Sequence, residues 1–72
     1  MSRYETKIPA RGSDANVFMV VGTCARLMRE LGHTAEEVAF MRREAMGAKS
    51  YEGACAVVEE WFPLDRGDDD DN

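Results

Sequence analysis

The sequence has few of the residues that mark specialised classes of protein. Its 72 residues include two cysteines, one histidine and one tryptophan, and no apolar run approaches the roughly 18 residues that a transmembrane helix needs. Cys24 and Cys55 are too few for a secreted disulfide framework and lack the paired spacing of a zinc site, so we expect two buried thiols. No apolar signal segment precedes Gly12. These absences predict a cytoplasmic protein that has no membrane partner, metal ion or other cofactor.

Positive charge is also scarce. Nine lysines and arginines stand against 14 acids, which gives a net charge of −5. Four of the acids are consecutive, Asp68–Asp71, and without their four charges the rest of the chain carries only −1. Proteins that bind nucleic acids present a basic stripe or patch with aromatic residues for base stacking, which this chain lacks. We therefore expect no nucleic-acid partner.

What the chain does have is a helical pattern in three parts. Apolar side chains recur at three- and four-residue spacings within residues 17–31, 38–46 and 51–62. The connections between these segments are short, so that consecutive helices must pack against one another. We therefore predict an all-α fold that consists of three parts: an extended N-terminal arm over residues 1–12, a compact three-helix domain over residues 13–64 and a disordered acidic tail over residues 65–72.

Short polar residues and glycines mark the ends of the three helices. The strongest signal is a capping box at the second helix, in which the Thr34 hydroxyl and the Glu37 carboxylate satisfy each other's backbone amides. The other expected boundaries are an N-cap at Ser13 or Asp14, a stop at Gly32, a stop at Gly47, an N-cap at Ser50 and a stop at Pro63.

The N-terminal arm contains one short extended segment. Tyr4–Ile8 alternates as a strand does, until Pro9 interrupts the pattern. A single strand has no stability of its own. It must lie against the helices, pair with residues 61–64 or pair with a second copy of the chain.

Two features favour a homo-oligomer. A single core in so short a chain rarely supplies more than about 3–5 kcal/mol, so a second copy could complete it. Glycine inside a helix costs about 1 kcal/mol relative to alanine, and at position 22 the close approach of another helix, from this chain or a second copy, would explain it. The expected self-association residues are Ile8, Gly22, Ala25 and Phe62.

No residue pattern predicts catalysis. His33 lies in an interhelical turn, and no acid, serine or cysteine stands at a spacing that promises a catalytic dyad with it, so we expect an exposed loop histidine. The pairs Glu36–Glu37 and Glu59–Glu60 are adjacent on helices and point about 100° apart, as solvated side chains do. The sequence therefore predicts that the protein is not an enzyme.

A binding site for an anion is a further possibility, because the forked donors of arginine suit phosphate groups. Arginines occur in pairs on the first and second predicted helices. The alternative is a solvated surface, with these arginines paired to glutamates such as Glu30 and Glu44. The candidate ligand- or partner-binding residues are Arg26, Arg29, Arg42, Arg43, Tyr4 and His33.

Several short motifs occur in a characteristic order: GSDANVF at Gly12–Phe18, then Gly32, Glu36–Glu37, Phe40, Glu44–Ala45, Ser50–Glu52 and Trp61. Over about residues 8–62 this order resembles a loose group of very short, uncharacterised helical proteins encoded by bacteriophages and prophages. The motifs are structural rather than catalytic, so the resemblance implies a phage origin and a small size more than an activity.

Three functions fit such an origin. The leading hypothesis is a non-enzymatic protein in the host cytoplasm that inhibits or modulates a host protein, defence systems included, by stoichiometric binding. The second is an oligomeric sponge that sequesters a nucleotide or another phosphorylated small molecule. The third is a small structural protein of a phage or host complex.

Overall fold

The computed structural model describes residues 2–66, and over this range it confirms an all-α, three-helix fold. The helices pack on one another around a single core, and two very short strands form a parallel ribbon beside them. The elements are β1 (Ile8–Pro9), a 3₁₀ turn (Gly12–Asp14), α1 (Val17–Glu30), α2 (Ala35–Gly47), α3 (Tyr51–Glu59) and β2 (Leu64–Asp65).

Most of the predicted helix ends are confirmed. Gly32 follows α1 with φ of 92°, a backbone conformation that favours glycine. The capping box of α2 is complete, since the Thr34 hydroxyl accepts from the Glu37 amide and the Glu37 carboxylate accepts from the Thr34 amide. The Ser50 hydroxyl accepts from the Gly53 amide at 3.0 Å and caps α3.

The start of α1 and the end of α3 differ from the prediction. Asn16 caps α1, because its extended backbone lets its side-chain oxygen accept from the Met19 amide at 2.9 Å. Ser13 lies upstream in the 3₁₀ turn, where its carbonyl accepts from the Asn16 side chain. At the other end, α3 stops at Glu59, so Trp61 follows the helix in a turn.

The N-terminal arm pairs with the segment that follows α3. Of the three predicted arrangements for the arm, the structure has this one, with the two segments running parallel. Carbonyl groups at the end of a helix have no intrahelical partner, and the arm supplies donors to two of them, in Glu59 and the C-cap residue Glu60, and to three carbonyls beyond the helix. The hydrogen bonds run from Ser2 Oγ to Glu59 O, Arg3 N to Glu60 O, Tyr4 N to Trp61 O, Ile8 N to Pro63 O and Ala10 N to Asp65 O.

This pairing places Ile8 and Ala10 of the arm in the core and corrects the predicted self-association surface. Ile8, Ala25 and Phe62 are each 0 % exposed within one chain, so they present nothing to a second copy of the folded protein. An added Cβ at Gly22 would meet no atom within 4 Å. The close approach of a helix from this chain, which we predicted there, is therefore absent from the described residues.

The ordered chain also extends beyond the predicted boundary at residue 64. Asp65 belongs to β2, where it pairs with Pro9. The Arg66 guanidinium contacts the carboxylates of Glu52 at 3.3 Å and Glu59 at 3.9 Å. The remainder of the predicted acidic tail, residues 67–72, lies outside the described residues.

Candidate functional site

The candidate site is built around His33, the residue that links α1 to α2. Two hydrogen bonds close the end of α1 around Gly32: the Gly32 amide donates to Arg29 O and the His33 amide donates to Met28 O. This is a Schellman motif, which leaves the next residue free to start another element. Thr34 is already the N-cap of α2, so the backbone on both sides of His33 is held by a helix end.

The His33 ring lies between two polar partners and has little freedom. Nδ1 donates to Glu37 Oε1 at 3.0 Å, and Nε2 accepts from the Tyr4 hydroxyl at 2.7 Å. We assign this tautomer because it gives both ring nitrogens a partner. The side chain is only 16 % exposed, so the prediction of an exposed loop histidine is wrong.

Glu37 holds both the helix and the histidine. Its Oε1 atom accepts from the Thr34 amide at 3.0 Å as well as from His33. The backbone hydrogen bond from Thr34, and then the hydrogen bond from His33, lower the pKa of the Glu37 carboxyl. A glutamate four residues after a histidine at the start of a helix is a recognisable sequence signal, which the search for a catalytic dyad missed.

Aromatic rings surround this network. Tyr4 stacks on Phe62 with ring centroids 5.1 Å apart, and the His33 ring meets the Trp61 ring edge-on, also at 5.1 Å. The Arg3 guanidinium lies over the Trp61 ring, 4.1 Å from its centroid, a distance typical of cation–π contacts. The arm, the α1–α2 turn and the segment after α3 therefore meet at one place.

An open cavity of about 340 Å³ lies at this place, and we call it the Trp61 pocket. Its volume is at the small end of the range of roughly 300–1,000 Å³ for ligand sites. Two carboxylates and one guanidinium line it, so its charge favours a cation over an anion. The lining residues are Arg3, Thr34, Glu36, Glu37, Phe40 and Trp61.

The structure brings together only part of the predicted binding set. Tyr4 and His33 are in contact, but none of the four arginines predicted for an anion site lines the pocket. All four are exposed, and Arg26 forms an ion pair with Glu30 at 3.2 Å, as the solvated-surface alternative expects. The remaining three, Arg29, Arg42 and Arg43, form no ion pair with any residue in the range 2–66.

Arg3, Phe40 and Trp61 are pocket residues that the sequence did not reveal as a group. Phe40 is 55 % exposed although it lies in an apolar helix pattern. Trp61 is 8 % exposed and joins the core. Only the pairing of the arm with the segment after α3 brings Arg3 to Trp61, and no local spacing predicts it.

In the described part of the chain, the other side chains that could react or bind a metal ion are buried or too far apart to do so. Cys24 and Cys55 are free and buried, as predicted, and burial raises the pKa of Cys24 to about 12. Within residues 2–66 no group of three or more acids, histidines or cysteines could hold a metal ion. None of the helices in that range is long and apolar enough to cross a bilayer.

Comparison with known proteins adds no relative. No protein-family model, no curated protein and no solved structure matches this chain. The resemblance to short phage proteins therefore stays a prediction.

Proposed function

We propose that this protein is a phage-derived binding protein without enzymatic activity, which modulates a host protein in the bacterial cytoplasm by stoichiometric binding. A host defence component is one such target. The observation that carries the proposal is the Trp61 pocket, an open concavity that combines aromatic side chains with carboxylates. Interfaces between proteins are dominated by a few aromatic and arginine anchors that fill such pockets.

The support beneath the pocket favours a binding role. His33 is held by Tyr4 and Glu37, and Trp61 packs against His33 on one face of this network. A site that is rigid before the partner arrives loses less conformational entropy on binding, so more of the contact energy appears as affinity. The exposed Phe40 ring then offers apolar surface within the lining of the pocket.

The charge of the pocket favours this function over a sponge for phosphorylated molecules. Glu36 and Glu37 line the pocket, whereas the four arginines of the predicted anion site do not. A phosphate group placed there would meet two carboxylates and a single guanidinium, which is unfavourable. A basic or apolar surface of a protein fits the same lining better.

The test is affinity capture from the host lysate, followed by measurement of the mass of the purified complex. We expect one host protein at a fixed stoichiometry. Replacing the exposed ring in Phe40→Ala should weaken the complex by about tenfold or more, because central aromatic anchors carry much of the binding energy.

Phe18→Ala is the matched control. Phe18 is an even more exposed aromatic residue, at 77 %, and it lies on α1 outside the pocket. Its replacement should leave capture unchanged. Equal capture by both variants would exclude the pocket as the binding surface, and a failure to retain any host protein would contradict the proposed function.

A further inference from the structure

We propose that the Trp61 pocket recognises a basic side chain of the partner, an arginine guanidinium, and that Arg3 covers the Trp61 wall of this pocket in the free protein. This inference rests on the proposed function, since it specifies the chemistry of the partner that the pocket binds. The N-terminal arm then competes with the partner for the Trp61 pocket.

The first argument is the position of Arg3. Its guanidinium carbon lies 4.1 Å from the centroid of the Trp61 ring, well inside the roughly 6 Å limit of a cation–π contact. Tryptophan is the most favourable ring for this interaction. The chain itself therefore shows that a guanidinium fits against this wall of the pocket.

The second argument is that the pocket has unused acceptors for a cation. The Glu36 carboxylate makes no hydrogen bond or ion pair with any other residue in the range 2–66. A carboxylate has about four acceptor sites, so Glu37, which also lines the pocket, retains acceptor capacity beside its hydrogen bonds to Thr34 and His33. An incoming guanidinium could donate to these oxygens while stacking on a ring, which is a combination that arginine provides.

The third argument is that Arg3 is weakly held and can leave without unfolding the arm. Its guanidinium forms no ion pair with a described residue, and its residue is exposed. The backbone amide, by contrast, donates to Glu60 O at 3.2 Å and keeps the chain in place. Only the side chain must move when another guanidinium enters.

The sole tryptophan of the chain makes this inference directly measurable, because fluorescence excited where tyrosine does not absorb reports on Trp61 alone. The probe is an acetylated, amidated Ser-Arg-Ser peptide, and its control is the same peptide with citrulline, which keeps the shape of arginine but carries no charge. We expect a saturable fluorescence change with the arginine peptide, weakened by added salt, and none with the citrulline peptide.

Two substitutions separate the competitor from the binding residues. Arg3→Gln should tighten binding of the arginine peptide by about two- to fivefold, because it removes an exposed cation–π contact that competes for the ring. Glu36→Gln should weaken binding by a similar factor. The matched controls are Arg29→Gln and Glu44→Gln, which make the same charge changes at exposed positions outside the pocket.

Three results would overturn the inference. They are the absence of a response to the arginine peptide in both the native protein and Arg3→Gln, equal responses to arginine and citrulline, and weaker binding after Arg3→Gln. Each differs from failure of the proposed function. Capture of a host protein that depends on Phe40 would still support stoichiometric binding, even if the partner presents no arginine.

Discussion

The N-terminal arm and the outer face of α1 differ in burial, and each does the opposite of what its sequence suggests. The arm contains a proline, and its apolar residues alternate with polar ones, yet its Ile8 is 0 % exposed. The outer face of α1, formed by Phe18, Met19 and Gly22, belongs to the longest apolar helix pattern of the chain. Nevertheless Phe18 is 77 % exposed and Met19 is 47 % exposed.

The difference shows how a three-helix core is closed in a small protein. A helix can turn only part of its circumference toward its neighbours, and α1 already buries five residues against α2, α3 and the arm. The open side of the core is then covered by a single extended segment, whose backbone hydrogen bonds to the end of α3 fix its position. Apolar character alone does not decide which residue is covered.

The largest expected effect comes from truncating the buried residue of the arm. Ile8→Ala should lower the free energy of unfolding by about 2–5 kcal/mol, because it leaves a cavity in the core. Phe18→Ala removes a larger side chain but should change that energy by only about 0.5 kcal/mol or less, as exposed positions do. Urea unfolding of both variants measures the contrast. Similar losses in the two would contradict the assigned burial.

The second effect concerns the hydroxyl that ties the arm to the α1–α2 turn. Tyr4→Phe keeps the stack on Phe62 but removes the hydrogen bond to His33, so we expect a loss of about 0.5–1.5 kcal/mol. Tyr51→Phe is the control, since the buried Tyr51 hydroxyl forms no hydrogen bond of ordinary geometry among the described residues and has only the Cys55 thiol as a weak neighbour. Its removal should leave stability unchanged or increased. A greater loss in Tyr51→Phe than in Tyr4→Phe would reverse this assignment.

A substitution on the outer face of α1 should make the protein more stable. Gly22→Ala should raise the free energy of unfolding by about 0.5–1 kcal/mol, because it improves helix propensity where the Cβ meets no atom. Gly53→Ala should do the opposite, since its Cβ would lie 2.9 Å from the Ala48 Cβ. Thermal unfolding at low and high protein concentration checks both. If Gly22→Ala lowers the thermal stability, and does so only at high protein concentration, a second copy of the chain packs against this face instead.

The smallest effect is a dependence on pH. The folded protein lowers the pKa of Glu37, so its contribution is fully present above the ordinary glutamate pKa of about 4.3 and is lost as the pH falls through the folded value. Glu37→Gln should flatten this part of the stability profile. An identical acid slope in the native protein and Glu37→Gln would contradict the linkage.

Local signals in the sequence predicted the helices, and such signals also exist for half of the site, where only the capping box was predicted. The capping box between Thr34 and Glu37 is a contact within one helical turn, and the spacing of His33 and Glu37 was equally available. The N-cap was misassigned because Ser13, Asp14 and Asn16 are all competent caps. Only the path of the backbone selected Asn16.

The other half of the site depends on residues far apart in sequence. Arg3 and Trp61 meet because the arm lies parallel to the segment after α3. The sequence allowed this pairing, a pairing with the helices and a pairing with a second copy. Pairing within the chain satisfies the free carbonyls at the end of α3 and buries Ile8 at the same time, two gains that no local pattern expresses.

The sequence by itself therefore determined the three helices and most of their ends, because hydrogen bonds and side-chain contacts within a few residues specify them. Only the tertiary structure decided that the arm closes the core, that Phe18 faces outward and that Arg3 rests on Trp61. These outcomes depend on which surfaces remain uncovered once the helices have packed, and that is a property of the whole chain.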